Sequence, residues 1–166
     1  SIIPLGQDVL RSFKYITGNK LYVSREGEGG ARHFESEEMV RFEPGDRGWA
    51  WDGNFFDYEL DGDEDIYIAN GWIEGSHASE QKNQMFIRGG EMFYLSSPAS
   101  PEAFAANSRA VASVDVDRDG DLDLVVTNFR EAPRLLKNTQ AAGNEAARIK
   151  LVGAGANTRA VGARLE

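Results

Sequence analysis

Two nine-residue acidic loops constrain this chain more than any other feature: Asp57-Tyr58-Glu59-Leu60-Asp61-Gly62-Asp63-Glu64-Asp65 and Asp115-Val116-Asp117-Arg118-Asp119-Gly120-Asp121-Leu122-Asp123. Each carries carboxylates at positions 1, 3, 5 and 9 and a glycine at position 6. Alternate residues of a tight loop can aim oxygens at one point, and calcium takes about six to eight oxygens in flexible geometry. Gly62 and Gly120 give the backbone freedom for a sharp turn, and the carbonyl of position 7 can complete the ring. Without an ion, four clustered carboxylates repel one another. The plain alternative is an acidic surface turn, but turns have no need of a carboxylate at every second residue. Magnesium suits the loops less well, because it demands rigid octahedral geometry and keeps several waters.

The residues after each loop select the kind of calcium motif. An EF-hand needs a bidentate glutamate at position 12 and helices on either side. Position 12 is Ile68 in the first loop and Val126 in the second. The segments Ile66-Tyr67-Ile68-Ala69-Asn70 and Leu122 to Thr127 are short and rich in β-branched residues, and an asparagine closes each. They read as buried strands.

Composition narrows the function. The formal charge is −9, and 11 of the 27 acidic residues lie in the two loops. Two bound calcium ions would bring −9 to −5. No Lys/Arg cluster offers a surface for nucleic acid. No apolar run approaches the roughly 18 residues of a membrane span, and no signal-peptide pattern opens the chain. The absence of cysteine excludes disulfides and thiolate metal sites. Extracellular calcium modules bind at about 0.1–1 mM, a level found outside the cytosol, so these loops favour an extracellular, periplasmic or cell-surface location.

The loops recur 58 residues apart, and other features recur with them. Asn19-Lys20-Leu21-Tyr22-Val23 is echoed by Asn83-Gln84-Met85-Phe86-Ile87, and more loosely by Pro133 to Asn138. Glycine turns come after the first two, at 27–30 and 89–90, each leading to a phenylalanine, Phe34 and Phe93. One unit therefore reads strand, acidic loop, strand, connector, strand, glycine turn, strand. Four short strands in about 40–60 residues is the pattern of a β-propeller blade. The connectors hold Ser36-Glu37-Glu38-Met39 and Ser100-Pro101-Glu102-Ala103, each predicted to open a single helical turn.

With these units in place, the chain resembles the FG-GAP/VCBS repeat family, the blades of integrin-type β-propellers, over roughly residues 19–139. It is similar in particular to secreted proteins of the cartilage acidic protein type, which join such repeats to a C-terminal ASPIC/UnbV domain. The tail from Arg148 to Gly153 and from Asn157 to Arg164 looks like the opening strand and turn of that domain. The resemblance implies an all-β fold of calcium-bearing blades, divided as a partial or degenerate blade over 1–44, calcium-binding blades over 45–98 and 99–140, and the start of an ASPIC/UnbV-like domain over 147–166. It also implies adhesion or macromolecular interaction. Two departures stand out: Glu59 replaces the usual Asp or Asn at loop position 3, and residues 1–18 hold no acidic loop. About two and a half blades are fewer than the four a closed propeller needs. We therefore expect further blades from the same or other chains.

Catalysis has little support. His33 and His77 have no Ser or Asp neighbour at a motif spacing, and both read as ordinary surface or edge residues. Carboxylates that ligate a metal stay ionised and make poor general acids. No phosphate- or dinucleotide-binding loop is present; Gly153-Ala154-Gly155 lacks the rest of one. Trp49, Trp51, Phe55, Phe56 and Tyr58 crowd the approach to the first loop, and Trp72 comes just after its strand. Trp49 and Trp51 would share a strand face and fill the space between blades, the alternative being an exposed platform for stacking carbohydrate, with Val111 and Ser113 at comparable places in the second unit. Arg47 and Arg109 read as solvent or carboxylate contacts.

The expected function is calcium binding in a non-catalytic extracellular module, with an unknown protein or glycan ligand. Two Ca2+ sites are predicted. Asp57, Glu59, Asp61 and Asp65 ligate one ion with the carbonyl of Asp63; Asp115, Asp117, Asp119 and Asp123 ligate the other with the carbonyl of Asp121. The competing readings are part of a calcium-dependent polysaccharide-active enzyme, and a structural segment of a larger surface assembly.

Overall fold

The computed structural model describes residues 21–37, 48–72, 81–90, 92–97, 100–139, 144–147 and 149–164. The described residues form an all-β fold of three small antiparallel sheets, as the strand patterns predict. A hairpin pairs β1 (Leu21–Glu26) with β2 (Arg32–Glu37) around a short 3-10 turn at Glu28–Gly30. The turn needs its glycines, since Gly29 has φ +76° and Gly30 φ +80°. A four-stranded meander comes next, made of β3 (Ala50–Phe56), β4 (Asp65–Asn70), β5 (Gln84–Gly89) and β6 (Met92–Leu95). The third sheet holds β7 (Ser108–Val114), β8 (Asp123–Asn128) and β9 (Glu131–Leu136). The acidic loops join β3 to β4 and β7 to β8.

Strand β4 is buried along its whole length because it serves two cores. Tyr67 and Ala69 point into a cluster shared with the third sheet, which includes Phe56, Met85, Val111, Leu124 and Val126. Ile66 and Ile68 point the other way, onto Phe86 and Phe93. The period of two along a strand produces this division, and each large apolar side chain so buried stabilises the fold by about 1.5–3 kcal/mol. Tyr67 is fully buried, and its hydroxyl donates to the Glu102 carbonyl oxygen at 2.9 Å.

The two larger sheets share an irregularity at the same place. The β3–β4 register slips between Ala50 and Asp52, and the β7–β8 register slips between Ser108 and Ala110. The extra residue is Trp51 in one sheet and Arg109 in the other, each 58 residues from its counterpart. Asn107 and Arg109 thus correspond to Trp49 and Trp51, in place of Val111 and Ser113. The bulge also breaks the simple alternation that would put Trp49 and Trp51 on one strand face. Trp49 precedes β3 and meets Trp72 edge-on at 5.0 Å, while Trp51 stays 43% exposed. Arg109 stacks 4.3 Å from the Trp51 ring centroid and donates to the Trp72 carbonyl at 2.8 Å, so it is an inter-sheet residue and not a carboxylate partner.

Ser36 and Glu37 end β2, and Glu38 and Met39 lie outside the described residues. The second connector forms the single turn expected of it. Ser100–Ala103 is a single hydrogen-bonded turn, with the Ala103 amide donating to the Ser100 carbonyl at 3.1 Å. Residues 149–153, expected as a strand, form none; turns occupy the segment from 155 to 162, and Asn157 ties it locally through Val161. A lone strand without a neighbour to accept its ladder has no means of satisfying its backbone groups. Arg47, His77, Arg148 and most of the 1–44 unit lie outside the described residues; His33 is exposed on β2. Among the described residues no helix is long and apolar enough to cross a membrane.

Candidate metal centres

Both acidic loops are stitched into their sheets by the position-9 aspartate. Asp65 accepts the Tyr58 amide on Oδ2 and the Arg88 amide on Oδ1, each at 2.8 Å. Asp123 repeats the pattern, taking the Val116 amide on Oδ2 at 3.1 Å and the Asn138 amide on Oδ1 at 2.9 Å. Asp65 therefore ties its loop to β5, and Asp123 ties its loop to the chain just past β9. Burial raises the pKa of Asp65, the amides of Arg88 and Tyr58 lower it, and the Asp63 and Asp61 charges raise it further. The amides leave each oxygen a further lone pair, so a position-9 carboxylate can hold the fold and still face a cation.

The backbone at both tips is alike. Position 6 has φ +93° at Gly62 and +104° at Gly120, where glycine is the fitting residue. Position 4 is also left-handed, at Leu60 (φ 55°) and Arg118 (φ 67°). A leucine or arginine gives no sequence signal of that conformation.

The side chains are arranged differently in the two loops. In the first, Asp57 accepts the amides of Asp61 and Gly62, both at 3.0 Å, and Asp61 accepts the Asp63 amide at 3.1 Å. Burial and then the charges of Asp65, Asp61, Asp63 and Asp57 raise the pKa of Glu59. In the second loop, Asp115, Asp117 and Asp119 converge, with an oxygen of each within 4.8 Å of the others. Among the described residues this is where three acidic side chains gather closely enough for one cation. Asp57, Glu59 and Asp61 do not form an equivalent group.

Position 7 adds a feature that the sequence pattern does not carry. Besides the carbonyls predicted of them, Asp63 and Asp121 each turn a carboxylate oxygen inward, where it is buried without a hydrogen-bond partner. Asp121 is only 7% exposed. Burial, then the neighbouring Asp119, Asp123 and Asp117, pushes its pKa up to about 6. A buried carboxylate among like charges is a costly arrangement that a bound cation reverses. The all-oxygen donor set suits a hard divalent ion.

A cleft of about 540 Å3 is lined by residues of both loops, among them Leu60, Asp119, Asp121, Lys137 and Asn138. Asn138 spans the loops: its amide holds Asp123, and its side-chain Nδ2 donates to the Tyr58 carbonyl at 2.6 Å. Asn144 adds a bond from Nδ2 to the Glu59 carbonyl at 2.8 Å. Lys137 places its ammonium on Asp117 Oδ2 and 3.5 Å from Asp119 Oδ2.

Small antiparallel sheets whose first two strands are joined by acidic loops define a repeat protein of the all-β class. Residues 57–126 match the model of the FG-GAP-like repeat family, from the first position of the first loop to the end of the core of β8. No curated protein matches the chain.

Proposed function

We propose that this chain is a calcium-binding, non-catalytic segment of a β-propeller that acts as an interaction module. The observation that carries the calcium reading is the convergence of Asp115, Asp117 and Asp119 beside the buried, unpartnered oxygen of Asp121. Those residues and Asp123 would hold the second ion; Asp57, Glu59, Asp61, Asp63 and Asp65 would hold the first. A bound ion supplies charge neutralisation and fixes the rim formed by the two loops. The match to a repeat family supports the propeller and interaction readings. It agrees with successive small antiparallel meanders that pack face to face on a shared apolar cluster, the way further blades of the same or another chain would add. An extracellular or periplasmic location follows from the calcium concentration such loops require. The finer likeness to the cartilage acidic protein type rests on the sequence of residues 148–164 alone.

The test is the thermal unfolding midpoint in excess calcium, in chelator, and in magnesium. Binding to the folded loops stabilises by mass action, so the midpoint rises with calcium and much less with magnesium. Equal midpoints in calcium and chelator would overturn the calcium reading.

A further inference from the structure

The two repeats can be aligned atom by atom through their position-9 aspartates, and the alignment exposes a difference between the sites. Asp65 Oδ1 accepts the amide of Arg88, and Asp123 Oδ1 accepts the amide of Asn138. The registers agree, since Ile66 pairs with Phe86 and Leu124 pairs with Leu136. The residue between these markers is Ile87 in the first repeat and Lys137 in the second. Ile87 packs into the apolar cluster between the sheets. Lys137 instead lies across the mouth of the second loop, with its ammonium on Asp117 and Asp119, two of the three converging carboxylates. Beside the first loop the contact is weaker: Arg88 Nε stands 4.0 Å from Asp63 Oδ2, at position 7 and not at positions 1, 3 and 5.

We propose that Lys137 is a tethered cation that occupies the second acidic loop in the metal-free protein and must leave when calcium enters. This rests on the calcium reading above and adds a regulation of that site. An ammonium brings one charge and three donors, whereas calcium brings two charges and accepts about six to eight oxygens. The ammonium can therefore keep the second loop gathered without metal, yet it is a poor enough occupant to be displaced. Because displacing it opposes binding, the second site binds calcium more weakly than its own carboxylates allow. The first loop has Ile87, an uncharged residue, at the same place, and its carboxylates are correspondingly less gathered.

The experiment compares the wild-type chain with Lys137→Ile, which installs the first repeat's residue, and with Lys137→Gln, which keeps a polar chain of similar length. Calcium titration by calorimetry is run in a background carrying Asp61→Ala, which removes the position-5 oxygen of the first loop, and unfolding midpoints are read in chelator and in calcium. Both variants are expected to tighten the remaining site by about two- to fivefold, the range an exposed ion pair supports. In chelator both should melt below wild type, and in saturating calcium that deficit should vanish or reverse. Calcium binding unchanged or weakened in both variants would overturn the displacement. If calcium binds neither wild type nor the variants, the calcium reading itself fails and the displacement falls with it.

Discussion

The guanidinium of Arg109 lies 4.3 Å from the centroid of the Trp51 ring, and the two residues hold the same bulge position in successive sheets. The bulge turns each side chain out of the ladder and toward the neighbouring sheet. Arg109 also stands 5.1 Å from the Phe129 ring and donates to the carbonyls of Trp72 and Ser108. Burial lowers its pKa, but an arginine stays charged throughout the working range.

Arg109→Ala should therefore cost about 2 kcal/mol of stability, the combined order of a ring stack and charge-assisted hydrogen bonds. Arg109→Lys should recover less than half, because an ammonium cannot stack flat and reach two carbonyls together. Denaturant midpoints of the three proteins decide the point, and equal midpoints for wild type and Arg109→Lys would contradict it.

Asn138→Ala removes the side-chain bond to the Tyr58 carbonyl and leaves the backbone bond to Asp123 intact. The expected loss is about 1–2 kcal/mol. It should be similar in calcium and in chelator, since the bond belongs to the framework between the loops. A loss confined to calcium would instead place Asn138 in metal binding.

Met85 is buried to 1% exposure between the sheets, whereas Leu135 on β9 is 55% exposed. Met85→Ala should cost about 2–5 kcal/mol and Leu135→Ala less than about 0.5 kcal/mol in this chain. If Leu135→Ala proves as damaging as Met85→Ala, the exposed face of β9 is covered by something this chain contributes elsewhere.

Asp121 contributes to the pH response of the metal-free protein in the same direction as Glu59 and Asp65, whose carboxyls are also raised. Its folded pKa of about 6 lies above the unfolded value near 4, so the folded chain holds the proton more tightly. The stability this contributes is complete below about pH 4 and is lost as pH rises through about 6. In chelator, Asp121→Asn should flatten the dependence between about pH 4 and 7 and raise the midpoint at about pH 7. A variant that keeps the wild-type slope would show that Asp121 does not contribute to it.

The acidic loops and the strands after them are legible in the sequence because their signals are local. Alternate carboxylates, a glycine at the tip and a short β-branched run all lie close together in the chain. The Arg109–Trp51 stack is not legible, since a bulge shifts the strand period by one residue and no residue type announces it. Lys137 and Asn138 are hidden for another reason. Asn138 meets Tyr58 across 80 residues of chain, and Lys137 reaches Asp117 only because β8 and β9 fold back on one another. Position 7 escapes for want of a burial signal: an aspartate in an acidic loop reads the same whether its side chain faces water or the interior.

The position-9 aspartates carry a consequence for comparing repeats with one another. Asp65 and Asp123 bind two amides each before any ion is considered, so their replacement unravels a sheet corner as well as a ligand set. Substitutions at position 5, Asp61 or Asp119, disturb less of the hairpin and are the cleaner probes of an ion. The same logic offers a way to recognise degenerate blades: one that has lost its acids at positions 1, 3 and 5 but kept an aspartate at 9 has abandoned the metal and preserved the joint.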